Sequence, residues 1–555
     1  MSSSDNMKEL RKPLILILLI MIIMGSESCH DMKKKADLII YNAKIYAPDT
    51  LGNNVNCIAV KNGKIIGVGT DAEIRSRYWA KENINASKSF VYPGFIDAHS
   101  HFTGFALGLR FADLSQTHSF EEILEILQGY RKLHPEGWIV GFGWDQNNWP
   151  KKVFPDNKLI NKLFPGVPIV LTRIDGHAVL ASDEAIKLAG IKFPGKSGEA
   201  VVTNGEFSGI FLEGMADQLK AAIPPPTESE KVDYLAIATN LCHEAGLTGV
   251  TDAGLNKSEI ILLDSLQKSG TLTLRIDAWL TPGEENFEYF MTDKPYVTPF
   301  LRVGAIKMYA DGALGSRGAY LLSPYSDDTP NHGLLVTTPE ELSAMCKLAY
   351  EHGFQMNTHA IGDAAVRMVL KTYSKFLRPD NDRRWRIEHA QVVNESDFAM
   401  FAAYNIIPSI QATHATSDMD WAAQRLGKER IKNAYAYKRL LLQNGWLPNG
   451  TDFPIEGIEP LKTFYASVAR KNAQGLPENG FMPENSLSRM ETLKSITSWA
   501  AKSSFSEKTR GSIEVGYDAD FTILNTDLIE TPEANILKAK VLYTIVNGKI
   551  VYKAK

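Results

Sequence analysis

From about residue 94 to residue 452 the chain alternates short apolar runs with helix-patterned stretches, and this alternation restricts the fold more than any other feature of the sequence. Strands separated by helices pair in parallel, in an open sheet or a barrel. Eight runs qualify, at 94–98, 249–252, 272–279, 304–309, 355–358, 385–387, 407–410 and 447–449. A (β/α)8 barrel allots about 31 residues to each strand and helix. Thirty residues separate His359 from His389, and sixty-three, two such units, separate His389 from Asp452. That register predicts a barrel. About 150 residues lie between the first two runs, so roughly 120 of them form an insertion, expected as a lid over the barrel mouth.

The chain ends have a different rhythm. Residues 36–41, 57–60 and 64–68 alternate like strands around an Asn62-Gly63 hairpin turn, and residues 519–524, 541–546 and 549–552 repeat the style around Asn547-Gly548. Termini of one domain commonly lie close together. The fold class expected is therefore α/β. It comprises a (β/α)8 TIM barrel (residues 91–505), a small composite β-sandwich domain from both chain ends (36–90 with 506–555), and a large lid-like insertion after the first barrel strand (105–245).

Residues 1–29 read as an export signal. Lys8, Arg11 and Lys12 precede an apolar run from Leu14 to Met24 that is short for a membrane span. Cys29 follows it, which resembles a bacterial lipoprotein signal with lipid on Cys29 and Lys33-Lys34-Lys35 as a tether. Ser26-Glu27-Ser28 departs from the small apolar consensus, so simple secretion and an uncleaved anchor stay open, as does Met7 as the start. The expected location is exported and membrane-anchored, facing the periplasm or cell surface. Cys57, Cys242 and Cys346 form no CxxC pair and read as core residues. A net charge of -4 with interspersed signs offers no basic stripe for nucleic acid. A small-molecule substrate is the expected partner, with a homo-oligomer left open.

Each chemically distinctive residue falls where a barrel strand ends, which is where this fold builds active sites. His99-Ser100-His101 follows the first run, and alternate side chains of an extended segment share a face, so both imidazoles can reach one metal ion. His359, His389 and Asp452 end the fifth, sixth and eighth runs. Histidines of a polar rim are the simpler alternative, but they would have to recur in barrel register. Lys307 is a charged residue inside an apolar strand, where burial is costly. As a carbamate it would supply an anion between two cations; pairing with Asp311 is the alternative.

These residues carry a resemblance. The chain resembles the amidohydrolase superfamily, in its amidohydrolase-3 branch of N-substituted formamide deformylase and uncharacterised metallohydrolases. The likeness rests on Pro93-Gly94-Phe95-Ile96-Asp97-Ala98-His99-Ser100-His101, Gly143-Trp144-Asp145, Asp175-Gly176-His177-Ala178, Lys307-Met308-Tyr309-Ala310-Asp311-Gly312-Ala313-Leu314-Gly315-Ser316-Arg317, His359-Ala360-Ile361-Gly362-Asp363, Glu388-His389, Gly450-Thr451-Asp452-Phe453-Pro454 and the closing Gly511-Ser512-Ile513-Glu514-Val515-Gly516-Tyr517-Asp518-Ala519-Asp520. Thr451 departs from an expected serine. The resemblance implies two divalent metal ions, zinc by expectation. His99, His101 and Asp452 would hold one, His359 and His389 the other, and carbamylated Lys307, formed with CO2, would bridge them.

The activity so implied is hydrolysis of a non-peptide amide-like C–N bond by metal-activated hydroxide, with Asp452 as the base. His177 and Arg317 are candidates for orienting substrate or stabilising an oxyanion, against a lid-packing histidine and a surface arginine. Trp144, Asp145 and Asp175 are candidate substrate contacts, against a core role for the indole. The alternatives for function are a lactonase, esterase or cyclic amidase on the same metal site, or a non-catalytic ligand-binding surface lipoprotein.

Overall fold

Asn62 and Asn547 adopt left-handed φ angles of 51° and 52°, and Gly63 and Gly548 follow at 72° and 73°. Positive φ at both central residues is the two-residue hairpin geometry that Asn-Gly favours. One turn joins Cys57–Lys61 to Lys64–Gly69 and the other joins Val541–Val546 to Lys549–Lys553. The turns meet, since a Cβ on Gly63 would lie 2.1 Å from Asn547 Oδ1. They belong to different sheets. One has four strands, in the order Lys64–Gly69, Cys57–Lys61, Lys34–Tyr41, Tyr78–Asn85. The other takes Lys44–Ile45 and Phe90–Pro93 from one end of the chain, and Phe521–Leu524, Val541–Val546 and Lys549–Lys553 from the other. Leu38, Ile58 and Val60 of the first sheet share a buried cluster with Val91, Phe521 and Ile545 of the second.

The structure is a computed structural model and describes residues 33–46, 55–174, 177–191, 200–203, 206–292 and 294–555. The signal segment with Cys29 lies outside the described residues, as does Asp175. Among the described residues, no helix is long and apolar enough to cross a membrane.

The chain divides into two compact units. The first, residues up to Ser100 with Cys242–Leu255 and Thr273–Lys555, contains both sheets above and a curled parallel sheet. Its strands are β1 (Phe95–Asp97), β2 (Leu247–Leu255), β3 (Arg275–Leu280), β4 (Leu301–Tyr309), β5 (Gln355–Ala360), β6 (Arg386–His389) and β7 (Ile407–Ser409), each paired with the next. Tyr296–Val297 adds antiparallel to β4. β3 is buried along its whole length, as a parallel strand covered on both faces must be. Seven of the eight expected strands form. The eighth is reduced to a bridge at Asn449, next to Pro448, which has no amide hydrogen to give a ladder. Even so, this segment reaches both sheet edges: Ile410 N–H donates to the Pro448 carbonyl, and Ala98 and Asp452 N–H donate to the carbonyls of Asn449 and His99. The arrangement is TIM-barrel-like, with the strand ends at one pole.

The second unit, His101–Leu241 with Asn256–Leu272, has a six-stranded sheet of its own. The segment that ends in the candidate contact Trp144 forms its strand Ile139–Trp144, parallel to Ile169–Arg173. Phe142 and Trp144, two residues apart, would share a face of a regular strand, but Gly143 between them has φ 106° and the pairing register shifts there, so Phe142 is left half exposed while Trp144 joins Leu114, Leu127 and Trp149 in the unit's core.

Candidate metal centre

His359 and His389 close β5 and β6, Lys307 lies in β4, and the turns after β1 and after Asn449 present His99 and Asp452 at the same pole. His389 has φ 71° and Asp452 φ 63°. Left-handed backbone at a non-glycine residue costs of order 1–3 kcal/mol and persists where its surroundings over-determine it. Here it turns two side chains inward at strand ends. Ligand atoms of His99, His101 and Asp452 all lie within 4.8 Å of one another, and so do those of His389, His414 and Asp452. His359 packs its ring against that of His389, at 4.6 Å between centroids. Lys307 Nζ stands 3.2 Å from His99 Nε2. The sequence-predicted donors therefore converge, and they bring along His414, which the sequence reading missed.

A buried frame holds them. Arg386 donates from Nε and Nη2 to the two oxygens of Glu388 at 2.7 and 2.9 Å, and from Nη2 also to the Ala98 carbonyl. Glu388 in turn receives His99 Nδ1 at 2.6 Å. Asp97 accepts the His99 N–H at 3.1 Å and the Thr451 hydroxyl at 2.7 Å, tying the first strand to the last. Serine would offer the same hydroxyl, so the threonine departure leaves this bond in place. Gly450 is required by contact, because a Cβ there would lie 2.4 Å from His99 N and 2.7 Å from Asp97 Oδ1.

The electrostatics suit a cation. Burial holds His389 far below the ordinary imidazole value, and burial together with the nearby Lys307 ammonium brings His359 down to about 3, so both rings are neutral at neutral pH. Neutral imidazole is the ligating form. Burial alone would raise Glu388, but Arg386 and His99 outweigh it and hold its carboxyl at about 2. Burial lowers Lys307 to about 8, with Glu388 and Asp452 opposing. His359 Nε2, His389 Nδ1 and His414 Nε2 are buried without a hydrogen-bond partner among the described residues. Each such orphan costs about 1–3 kcal/mol. His389 and His414, two of the three residues with such an orphan nitrogen, are grouped with the Asp452 carboxylate, a donor set that fits a borderline divalent ion.

The remaining expectations fall elsewhere. Lys307 does not pair with Asp311, whose carboxylate instead accepts the N–H groups of Ile361, Gly362 and Tyr320. Arg317 is held by Asp327, from Nε at 3.2 Å and Nη2 at 3.0 Å. Asp145 pairs with Arg173 at 2.6 Å and caps the turn at Asn147. Trp144 is fully buried and donates its indole N–H to the Leu171 carbonyl, where packing alone would put it. His177 is exposed on the second unit. Glu388 appeared in the sequence only as a neighbour of His389, and His414 gave no strand-end signal because it lies in the short helix Ala412–Ser417.

A pole that gathers neutral imidazoles and a carboxylate on a curled parallel sheet defines a class, the metal-dependent hydrolases. Within it, the chain belongs to the amidohydrolase family, whose family model matches residues 82–552. Putative amidohydrolase YtcJ of Bacillus subtilis is 31% identical over 521 residues, covering 92% of this chain and 98% of that protein. N-substituted formamide deformylase of Arthrobacter pascens is 24% identical, over 94% of this chain and 99% of its own. The crystal structure of an uncharacterised metal-dependent hydrolase from Pyrococcus horikoshii OT3 aligns at a TM-score of 0.75 and 26% identity, over 89% of this chain and 99% of that one.

Proposed function

We propose that the protein hydrolyses a non-peptide amide-like C–N bond in a compact N-acyl substrate, at a two-ion centre held by His99, His101, Lys307, His359, His389 and Asp452. The observation that carries the reading is the convergence of orphan buried imidazole nitrogens on Asp452. Likeness to a protein named for deformylating N-substituted formamides supports the choice of bond. When bound, divalent ions, zinc in this reading, bring the pKa of a water toward neutrality and polarise a carbonyl.

The chain's own residues do the rest. Glu388 accepts from His99 Nδ1, which leaves Nε2 as the nitrogen of that ring that carries a lone pair. Asp452 is the group placed to take a proton from the attacking water and return it to the leaving amine. Lys307, easier to deprotonate than an ordinary lysine, is the amine that would add to CO2 and lose a proton to give a bridging carbamate. His177 remains our choice for contact with the reacting carbonyl. Arg317 and Asp145 could orient substrate only by leaving Asp327 and Arg173, Asp175 keeps its proposed substrate contact, and Trp144 is assigned to packing. We read the parallel sheet as a (β/α)8 barrel, the two other sheets as a composite sandwich, residues 105–245 as an inserted lid, and residues 1–29 as a lipoprotein signal.

The test is a screen of N-formyl and N-acyl amines, lactams, lactones and esters with zinc-loaded protein, following amine release. Turnover of at least one acyclic amide with stoichiometric amine is expected. Turnover confined to lactones and esters would overturn the choice of bond.

A further inference from the structure

The ligand set proposed above leaves one imidazole at this pole unused. His414 belongs to the helix Ala412–Ser417, which begins as the chain leaves β7. Its Nε2 is buried with no hydrogen-bond partner among the described residues and stands 3.7 Å from Asp452 Oδ2, too far for a hydrogen bond. Its ring lies nearly parallel to that of His389, with centroids 5.8 Å apart and planes 19° from each other. The ligand atoms of His389, His414 and Asp452 form a group no more than 4.8 Å across. A histidine kept only for packing would not leave a buried ring nitrogen unsatisfied beside a carboxylate, because either a direct bond or an apolar side chain costs less. His359 stands differently. Its Nε2 is 3.6 Å from Asp311 Oδ1, a carboxylate held by three backbone N–H groups.

We propose that His414 is itself a metal ligand, an additional donor beside His389 at the second ion of the set proposed above, with Asp452 in the same group. Asp452 stands in both groups, with His99 and His101 in one and with His389 and His414 in the other. This inference rests on the metal-centre reading above, and its test separates the two.

The experiment measures metal content, retention against a chelator, and the visible absorption of cobalt-substituted protein. It uses full-length wild type, His414→Phe, His414→Asn, and Ser417→Ala as a control on the same helix. Circular dichroism and the thermal midpoint check folding, and two variants of different size guard against one that fails to fold. Both His414 variants should lose one ion per chain or hold it at least about tenfold less tightly, with a changed cobalt spectrum, while Ser417→Ala behaves as wild type. A folded His414 variant with wild-type metal content, chelator resistance and cobalt spectrum would overturn the assignment. Wild type that binds no ion would overturn the metal centre itself, and the inference with it.

Discussion

His99 Nδ1 lies 2.6 Å from Glu388 Oε2, with both side chains fully buried. The bond fixes the imidazole's orientation from a residue on β6, and the bidentate grip of Arg386 fixes the carboxylate. Outer partners of this kind are worth about 10–100-fold in metal affinity. Glu388→Gln should therefore weaken zinc binding by about that factor, read by competition with a chromophoric chelator. Because the change also strips Arg386 of its counter-charge, a lower thermal midpoint should accompany it. A folded Glu388→Gln protein with wild-type affinity would mean that the pair serves packing alone.

Lys307 gives a pH dependence. Its folded value of about 8 lies below the ordinary 10.5 because of burial. Below pH 8 the lysine is protonated in both folded and unfolded chain, and the folded state bears the whole cost of a buried ammonium. Between pH 8 and 10.5 the unfolded chain binds more protons, so this group's contribution to stability rises with pH. Lys307→Met should stabilise the metal-free, CO2-free protein by about 3 kcal/mol at pH 7, a gain that shrinks as pH approaches 10.5. Urea denaturation with chelator present measures it, and a gain that does not vary with pH would rule out the buried ammonium as its source.

Gly450 sits where the last strand segment crosses the first. A methyl group there would stand within 3 Å of backbone and carboxylate atoms, so Gly450→Ala must displace His99 or Asp97. A loss of about 1–3 kcal/mol is expected, together with lowered metal content. Full metal occupancy at wild-type stability would show that the crossing relaxes freely.

For His177, the proposed contact with the carbonyl predicts a drop in kcat of about two orders of magnitude in His177→Asn, with metal content unchanged. Normal kcat on the best screened substrate would remove the residue from the mechanism.

The convergence of His99, His359, His389 and Asp452 was legible in the sequence because each ends an apolar run, and strand ends in barrel register share a pole. His414 was not, since one helical turn past β7 has no periodicity that marks it. The Glu388 bond to His99 was hidden for another reason: it joins residues 289 apart in the chain, and only the sheet order brings them together. The burial of Trp144 was not legible, because an aromatic run reads the same whether its rings face solvent or a core. The Asn-Gly turns needed no such context, as their backbone preference is local.

Hydrolysis, as proposed, depends on metal held by this pole. Metal analysis of purified protein, paired with amine release before chelation, after chelation, and after zinc is restored, tests it most directly. About two zinc-type ions per chain, activity abolished by chelation, and activity regained with the metal are predicted. Protein stripped to trace metal that still hydrolyses its best substrate at the full rate would contradict the account.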